Sequence, residues 1–335
     1  MNSIERIIKV VGFNQADRVP VIAQVFGHAA VVANVPLDEY LQDGGLVARC
    51  QIDAWEQYDY DSVFALLDVC VETEALGSRL EFRKDVYPLI KKYAMADTSE
   101  IDSFSIPNPK KAGRMPELLK AAKILRNTLG KEVLVVGCAL GPMTLTLQLL
   151  GAERALYLAI DDPDTFSGLL DFSVEVCVKF SVEQIKAGVH LPVIFEPAAS
   201  PAVIPAPFFR EFLLPRLQKI FRELKNVGSL ATWLHIAGPT TPILPYYNDL
   251  GADIINIDYY IDPSEAQNKC PNLCINGNIK PLSFITEKPS DIKTMSKTLL
   301  GLFKKRGGYI LSSGCELPLE SKPENIKAMV LSVRE

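Results

Sequence analysis

The chain has 335 residues, 48% of them hydrophobic and 22% charged. This composition excludes a disordered chain and supports a core that needs no covalent staple. A balance of 35 Lys and Arg against 40 Asp and Glu gives a net charge of −5, which argues against sequence-independent nucleic-acid binding. The 7 cysteines are odd in number and irregularly spaced, as expected for reduced thiols of a cytoplasmic protein.

The N-terminus has a charged Glu5-Arg6 start and no apolar run behind it, so it does not read as a signal peptide. Short apolar, β-rich runs then recur at 19–25, 62–67, 133–139, 191–195, 230–236, 252–257, 273–277 and 309–313, separated by segments with helical spacing. The uncharged stretch 133–152 has the length of a membrane span. Its β-branched start, the Gly141-Pro142 break and the helical spacing of 144–150 instead predict strand, turn and buried helix, with no membrane segment. The clearest helix is 207–226, where Phe209, Phe212, Leu213, Leu217, Ile220, Phe221 and Leu224 fall three and four apart and Pro215 should bend the chain.

Eight near-continuous apolar strands alternating with helices, and no dinucleotide fingerprint, predict an α/β fold of the (β/α)8 TIM-barrel type. A single domain over 1–335 is expected, with 68–131 longer than one crossover requires and read as a cap excursion. In such a barrel the chemistry stands where strands run out. Those ends carry Gln24, Asp68, Glu196, His235, Asp258, Asn276, Asn278, Cys315 and Glu316. Each also has a structural reading: Asn276 and Asn278 beside Gly277 suit a turn, His235 a satisfied core histidine, and Glu196 a loop cap. Acids and amides converging on one mouth suit a polar heterocycle. No phosphate-binding glycine loop or nucleophile elbow occurs. Cys270 and Cys274 lack a second ligand pair, His28 and His190 have no partner pattern, and Lys110-Lys111 and Lys304-Lys305-Arg306 read as solvated faces.

The order and spacing of several segments resemble the uroporphyrinogen decarboxylase superfamily, and within it the corrinoid-dependent methyltransferases. These are Asp17-Arg18-Val19-Pro20, the run from Asp68 to Gly77, Gly141-Pro142-Met143-Thr144-Leu145, the run from Glu196 to Pro201, the run from His235 to Thr240, Gly277-Asn278, Gly314-Cys315, and Pro323 to Ile326. The resemblance spans nearly the whole chain and implies the same barrel. Against the decarboxylase, the segment from Gln24 to His28 has no arginine, Gln148 stands where that enzyme has a tyrosine, and its late histidine is missing near Cys315; Asp68 does match its aspartate.

The methyltransferase resemblance implies a zinc ion held by His-x-Cys and a later Cys, which presents a thiol acceptor as thiolate. Here His235 and Cys315 match, but the middle position is Ala237. Glu196 and Glu316 are the candidates for a substitute ligand. No tightly bound zinc and no metal-ligating set is therefore expected. The resemblance then implies methyl transfer from a methylcobalamin-type corrinoid, carried on a partner protein, to N5 of tetrahydrofolate, an amine that attacks without a metal. In this reading Asp258 and Asn278 are catalytic proton relays. Glu196, His235, Gln24, Asp68, Asn276 and Cys315 bind substrate. The alternatives are a zinc-dependent transfer to a thiol of the coenzyme M kind, and a non-catalytic corrinoid- or tetrapyrrole-binding relative.

Overall fold

A computed structural model describes residues 1–95 and 104–334. The strands, in chain order, are β1 (Ser62–Ala65), β2 (Arg79–Arg83), β3 (Val86–Lys92), β4 (Leu134–Leu140), β5 (Leu191–Phe195), β6 (Trp233–His235), β7 (Ile254–Asn256), β8 (Cys274–Ile279) and β9 (Tyr309–Ser313). Seven of them form one parallel sheet in the order β1-β4-β5-β6-β7-β8-β9. Every residue of these seven strands is buried, because one face looks into the barrel and the other is covered by helices. The helices of the outer layer include Gly44–Tyr58, Met115–Thr128, Pro163–Ala187, Leu214–Asn226, Pro289–Phe303 and Pro323–Ser332.

The first predicted strand, 19–25, is a correction. It forms a single parallel bridge, Val21 with Leu311, supported by Ile22 N to Leu311 O (3.1 Å) and Leu311 N to Pro20 O (3.0 Å). Pro20 has no N–H to offer a ladder. On its other side this segment meets β1 mainly through side chains. The Asp61 N–H donates to Val21 O (2.8 Å), and the Asp61 carboxylate accepts from Val21 N (2.7 Å), Arg6 (2.6 Å) and Arg18 (2.7 Å). Further along, the Gln51 amide donates to Val25 O (2.8 Å) and its oxygen accepts from Phe64 N (3.0 Å). The barrel closes on polar side chains in place of an eighth ladder.

The stretch 133–152 divides as expected into β4 and the helix Pro142–Leu150, and no helix among the described residues is long and apolar enough to cross a membrane. The predicted helix 207–226 is interrupted. A π-type turn over Phe209–Leu213 precedes the regular helix Leu214–Asn226. The wider turn accommodates Pro215, which lacks an N–H and would crowd the carbonyl of Glu211 in a regular helix. The long 68–131 stretch contains the antiparallel hairpin β2–β3, turned at Asp85 with φ of 60°, and the crossover helix Met115–Thr128. Part of that stretch, 96–103, lies outside the described residues. Arg306 is no solvated surface residue: its guanidinium donates to the carbonyls of Cys270 (2.7 Å) and Leu273 (2.6 Å). Lys110 is ion-paired with Glu183 at 2.9 Å.

Removing a charge from the Asp61 cluster should open the seam. Asp61→Asn is expected to lower unfolding stability by ~3–5 kcal/mol, because two arginines lose a buried partner. An unchanged denaturant midpoint would show that the seam does not depend on this carboxylate.

Candidate active site

At the C-terminal ends of the strands a cavity of about 150 Å³ opens. Its walls are the apolar side chains of Phe26, Leu66, Val69, Phe195 and Pro197, and its polar groups are His235, Cys315, Asp68, Glu316 and Tyr87. Ala237 also lines it. An aromatic layer fixes the floor: Phe26 packs on Phe64 (centroids 4.8 Å) and Phe195 meets His235 edge-on at 5.0 Å and 86°.

His235 ends β6, and Cys315 follows β9 by two residues. β7 and β8 lie between these two strands in the sheet, and the curl of the barrel turns their ends toward one mouth, so residues 80 apart in sequence place Cys315 Sγ 3.6 Å from His235 Nε2. Burial alone lowers the His235 pKa to about 3, which keeps the ring neutral, and its Nδ1 has no hydrogen-bond partner. Burial pushes the Cys315 thiol up to about 12, with Asp258 and Glu316 adding to the rise. Zinc bonds of ~2.0 Å to nitrogen and ~2.3 Å to sulfur span a tetrahedral edge of ~3.5 Å, so this pair is close to the separation of two zinc ligands. Among the described residues no group of three or more His, Cys, Asp or Glu has a metal-holding arrangement, and at the middle position Ala237 has no donor atom. The residues therefore do not furnish the three protein ligands of a firmly held catalytic zinc.

The expected site residues divide into two sets. His235, Cys315 and Asp68 share the cavity, joined by Glu316. Asp258 stands beside it: burial raises its pKa, while Gly238 N (2.7 Å) and Tyr259 N (2.6 Å) bond its two oxygens. Glu196 lies within the frame. Its oxygens accept from Met143 N (2.7 Å) and Thr144 N (2.9 Å), the first amides of the helix Pro142–Leu150. A Cβ on Gly141 would lie 2.5 Å from that carboxylate, so the glycine permits the clamp. Gln24 and Asn276 are fully buried inside the barrel. Gln24 donates to Ser313 O (3.0 Å), and neither amide atom of Asn276 has a partner. Asn278 does not line the cavity; it donates to the carbonyls of Asp258 (3.1 Å) and Ile261 (2.8 Å) and borders a separate groove.

Three contributors had no local sequence signal. Tyr87 arrives from the hairpin strand β3; it receives a hydrogen bond from Gly27 N (2.9 Å) and donates to the Glu316 carboxylate. Phe26 comes from the irregular first segment. Arg114 holds the Asp68 carboxylate with bonds of 2.5 and 3.2 Å and also bonds Glu74 at 2.6 Å. Burial raises Glu316 to a pKa of about 7.

Comparison with known proteins gives the family. The family profile described as uroporphyrinogen decarboxylase (URO-D) matches residues 2–335. The chain belongs to that family. It is 27% identical over 276 residues to the methylcobamide:CoM methyltransferase MtbA of Methanosarcina mazei, covering 81% of this chain and 78% of the relative. It is 25% identical over 285 residues to the uroporphyrinogen decarboxylase of Thermodesulfovibrio yellowstonii, covering 82% and 79%. A solved methyltransferase from Methanosarcina mazei superposes with a TM-score of 0.91 at 25% identity, covering 100% of this chain and 98% of that one. Its relatives within the family thus include both methylcobamide:CoM methyltransferases and uroporphyrinogen decarboxylases, at similar identity.

Two buried carboxylates in this frame give a pH signature. Burial raises Glu72 and Glu196 from an ordinary 4.5 to about 7, outweighing the amide bonds from Leu140 and from Met143 and Thr144. The folded protein then keeps protons that the unfolded chain releases, so the contribution of these two groups is largest at the acid end and falls as pH rises from about 4.5 to about 7, while His235 and His190, lowered by burial to about 3 and about 4, contribute in the opposite sense. Denaturation of the wild type and of Glu72→Gln at several pH values should show the Glu72 contribution as a difference in slope between about pH 4.5 and about pH 7. An unaltered slope in the variant would remove Glu72 from the account.

Proposed function

We propose that this protein moves a methyl group from a methylated corrinoid, presented by a separate protein, to N5 of tetrahydrofolate without a zinc ion. The observation that carries the reading is Ala237. It lines the cavity beside His235 and Cys315 where a third ligand would be needed, and an amine nucleophile has its lone pair available at neutral pH without a metal. The methylated corrinoid is the donor substrate at the open side of the mouth.

The chain's own groups have three tasks in this reaction. The walls made by Phe26, Leu66 and Phe195 exclude water from the acceptor and hold its nitrogen toward the mouth, and such positioning contributes several kcal/mol, up to ~7–11 in favourable cases. Asp258, raised by burial, takes up the proton that N5 releases after transfer. Asn278 fixes the backbone that carries Asp258 through its bond to the Asp258 carbonyl (3.1 Å). Glu196 holds the helix Pro142–Leu150 against the strand end. This gives it a supporting role in place of the direct ring contact expected from the sequence.

A second reading, transfer to a thiol of the coenzyme M kind, is favoured by the name of the Methanosarcina relative and by the 3.6 Å His235–Cys315 spacing. Assays with methylcobalamin separate the two. Tetrahydrofolate is expected to be methylated, and coenzyme M and homocysteine hardly at all, with or without added zinc. Turnover with a thiol plus zinc and none with folate would transfer the conclusion to the second reading; no turnover with any acceptor would leave a binding protein. Asp258→Ala should weaken folate binding by ~1–3 kcal/mol, measured by calorimetry. Ala237→Cys is expected to raise zinc affinity in a metal titration, since it restores His-x-Cys; unchanged affinity would mean that the missing ligand is not what limits zinc binding.

A further inference from the structure

We infer that the mouth cavity takes an uncharged or cationic acceptor group and rejects a compact anionic one such as a sulfonate. The inference deepens the methyl-acceptor reading and rests on it for turnover, while its binding test stands apart from turnover.

The acidic groups facing the cavity are carboxyls, Glu316 among them with its pKa raised by burial to about 7. Asp68 and Glu316 line it, and Asp258 is close enough to act on the Cys315 thiol. Among the described residues no Lys or Arg lines it, and residues 96–103 and 335 contain neither type. The guanidinium nearest in the network is Arg114, behind Asp68. It is engaged by Asp68 at 2.5 Å, Glu74 at 2.6 Å and the Leu41 carbonyl at 2.7 Å, so one cation faces two carboxylates and the cluster stays acidic. Lys280, past the end of β8, lies 5.3 Å from the Tyr259 ring and borders the separate Asn278 groove.

An anion entering between Phe26, Leu66 and Phe195 would lose its hydration and gain no counter-ion, which is strongly unfavourable. A neutral group with N–H donors meets the opposite situation. Glu316 and Asp68 offer acceptor oxygens, and the Tyr87 hydroxyl fixes the Glu316 carboxylate through the hairpin. An aminopyrimidinone edge, as in a pterin, has those donors and no charge. Coenzyme M, 2-mercaptoethanesulfonate, has the charge this cavity lacks the means to pair.

The test uses the full chain and probes of similar size. Calorimetry is run with 2-mercaptoethanesulfonate, 2-mercaptoethanol, cysteamine and 6-methyltetrahydropterin, which carries no glutamate tail, and each is then offered methylcobalamin. The sulfonate is expected to bind about tenfold or more weakly than 2-mercaptoethanol and cysteamine, and the pterin to bind. Glu316→Lys should narrow or reverse that order; Glu316→Gln, which keeps the shape, should narrow it if the lysine variant does not fold. Sulfonate binding as tight as that of the uncharged thiol overturns the inference, as does failure of every uncharged and cationic probe to bind. If the order holds and no probe is methylated, the charge selection stands and the methyl-transfer reading fails.

Discussion

The Asp61 carboxylate occupies the point where this barrel has to close. The first segment, anchored by the single Val21–Leu311 bridge, cannot supply a regular ladder, because Pro20 has no N–H and the chain leaves the strand direction almost at once. Asp61 replaces the missing pairing. It receives the Val21 amide on one side, continues into β1, and draws in Arg6 and Arg18. Its side chain is 1% exposed, so these bonds act with little competition from water. Because the first segment also delivers Phe26 and the Gly27 amide to the mouth, the position of one cavity wall depends on this ion cluster.

The barrel was legible in the sequence because its strands are buried on both faces and read as uninterrupted apolar runs. β5 and β9 coincide with the runs 191–195 and 309–313. The run 19–25 looked the same and is not a strand. Periodicity reports burial, and this segment is buried; it does not report whether a backbone ladder forms. The motif Asp17-Arg18-Val19-Pro20 carried the missing information in its charges, since Asp17 pairs with Arg6 at 2.8 Å and Arg18 with Asp61 at 2.7 Å. Nothing local marks those partners.

The same distinction separates the site residues. Chain position at a strand end put His235, Cys315 and Asp68 at one mouth, and the three line one cavity. It could not tell which polar side chains face the cavity and which hold the loops around it. Glu196 and Asp258 each have both oxygens bonded to backbone amides, and Asn278 bonds carbonyls on the far side of Asp258. Tyr87 was invisible because a hairpin almost 230 residues earlier in the chain brings it to Glu316. Tertiary geometry decided these roles.

The clamps and the cavity form one mechanical unit. Glu196 follows β5 directly and ties that strand end to the start of the helix Pro142–Leu150. Its own N–H donates to His235 O at 2.9 Å, so the same residue fixes the end of β6. Asp258 reaches from the end of β7 to Gly238, three residues past His235. The His235 loop is thus held from both neighbouring strands, and Phe195 meets the imidazole edge-on. A ring constrained in this way cannot swing to recruit a distant ligand, and the loss of a donor at Ala237 is not readily compensated by loop movement. The rigidity that keeps His235 and Cys315 at zinc spacing also leaves the third position unfilled. On the methyl-transfer reading proposed above, the pair serves as a neutral, sulfur-bearing wall beside carboxylates, facing a ring that brings its own hydrogen-bond donors and its own nucleophilic lone pair.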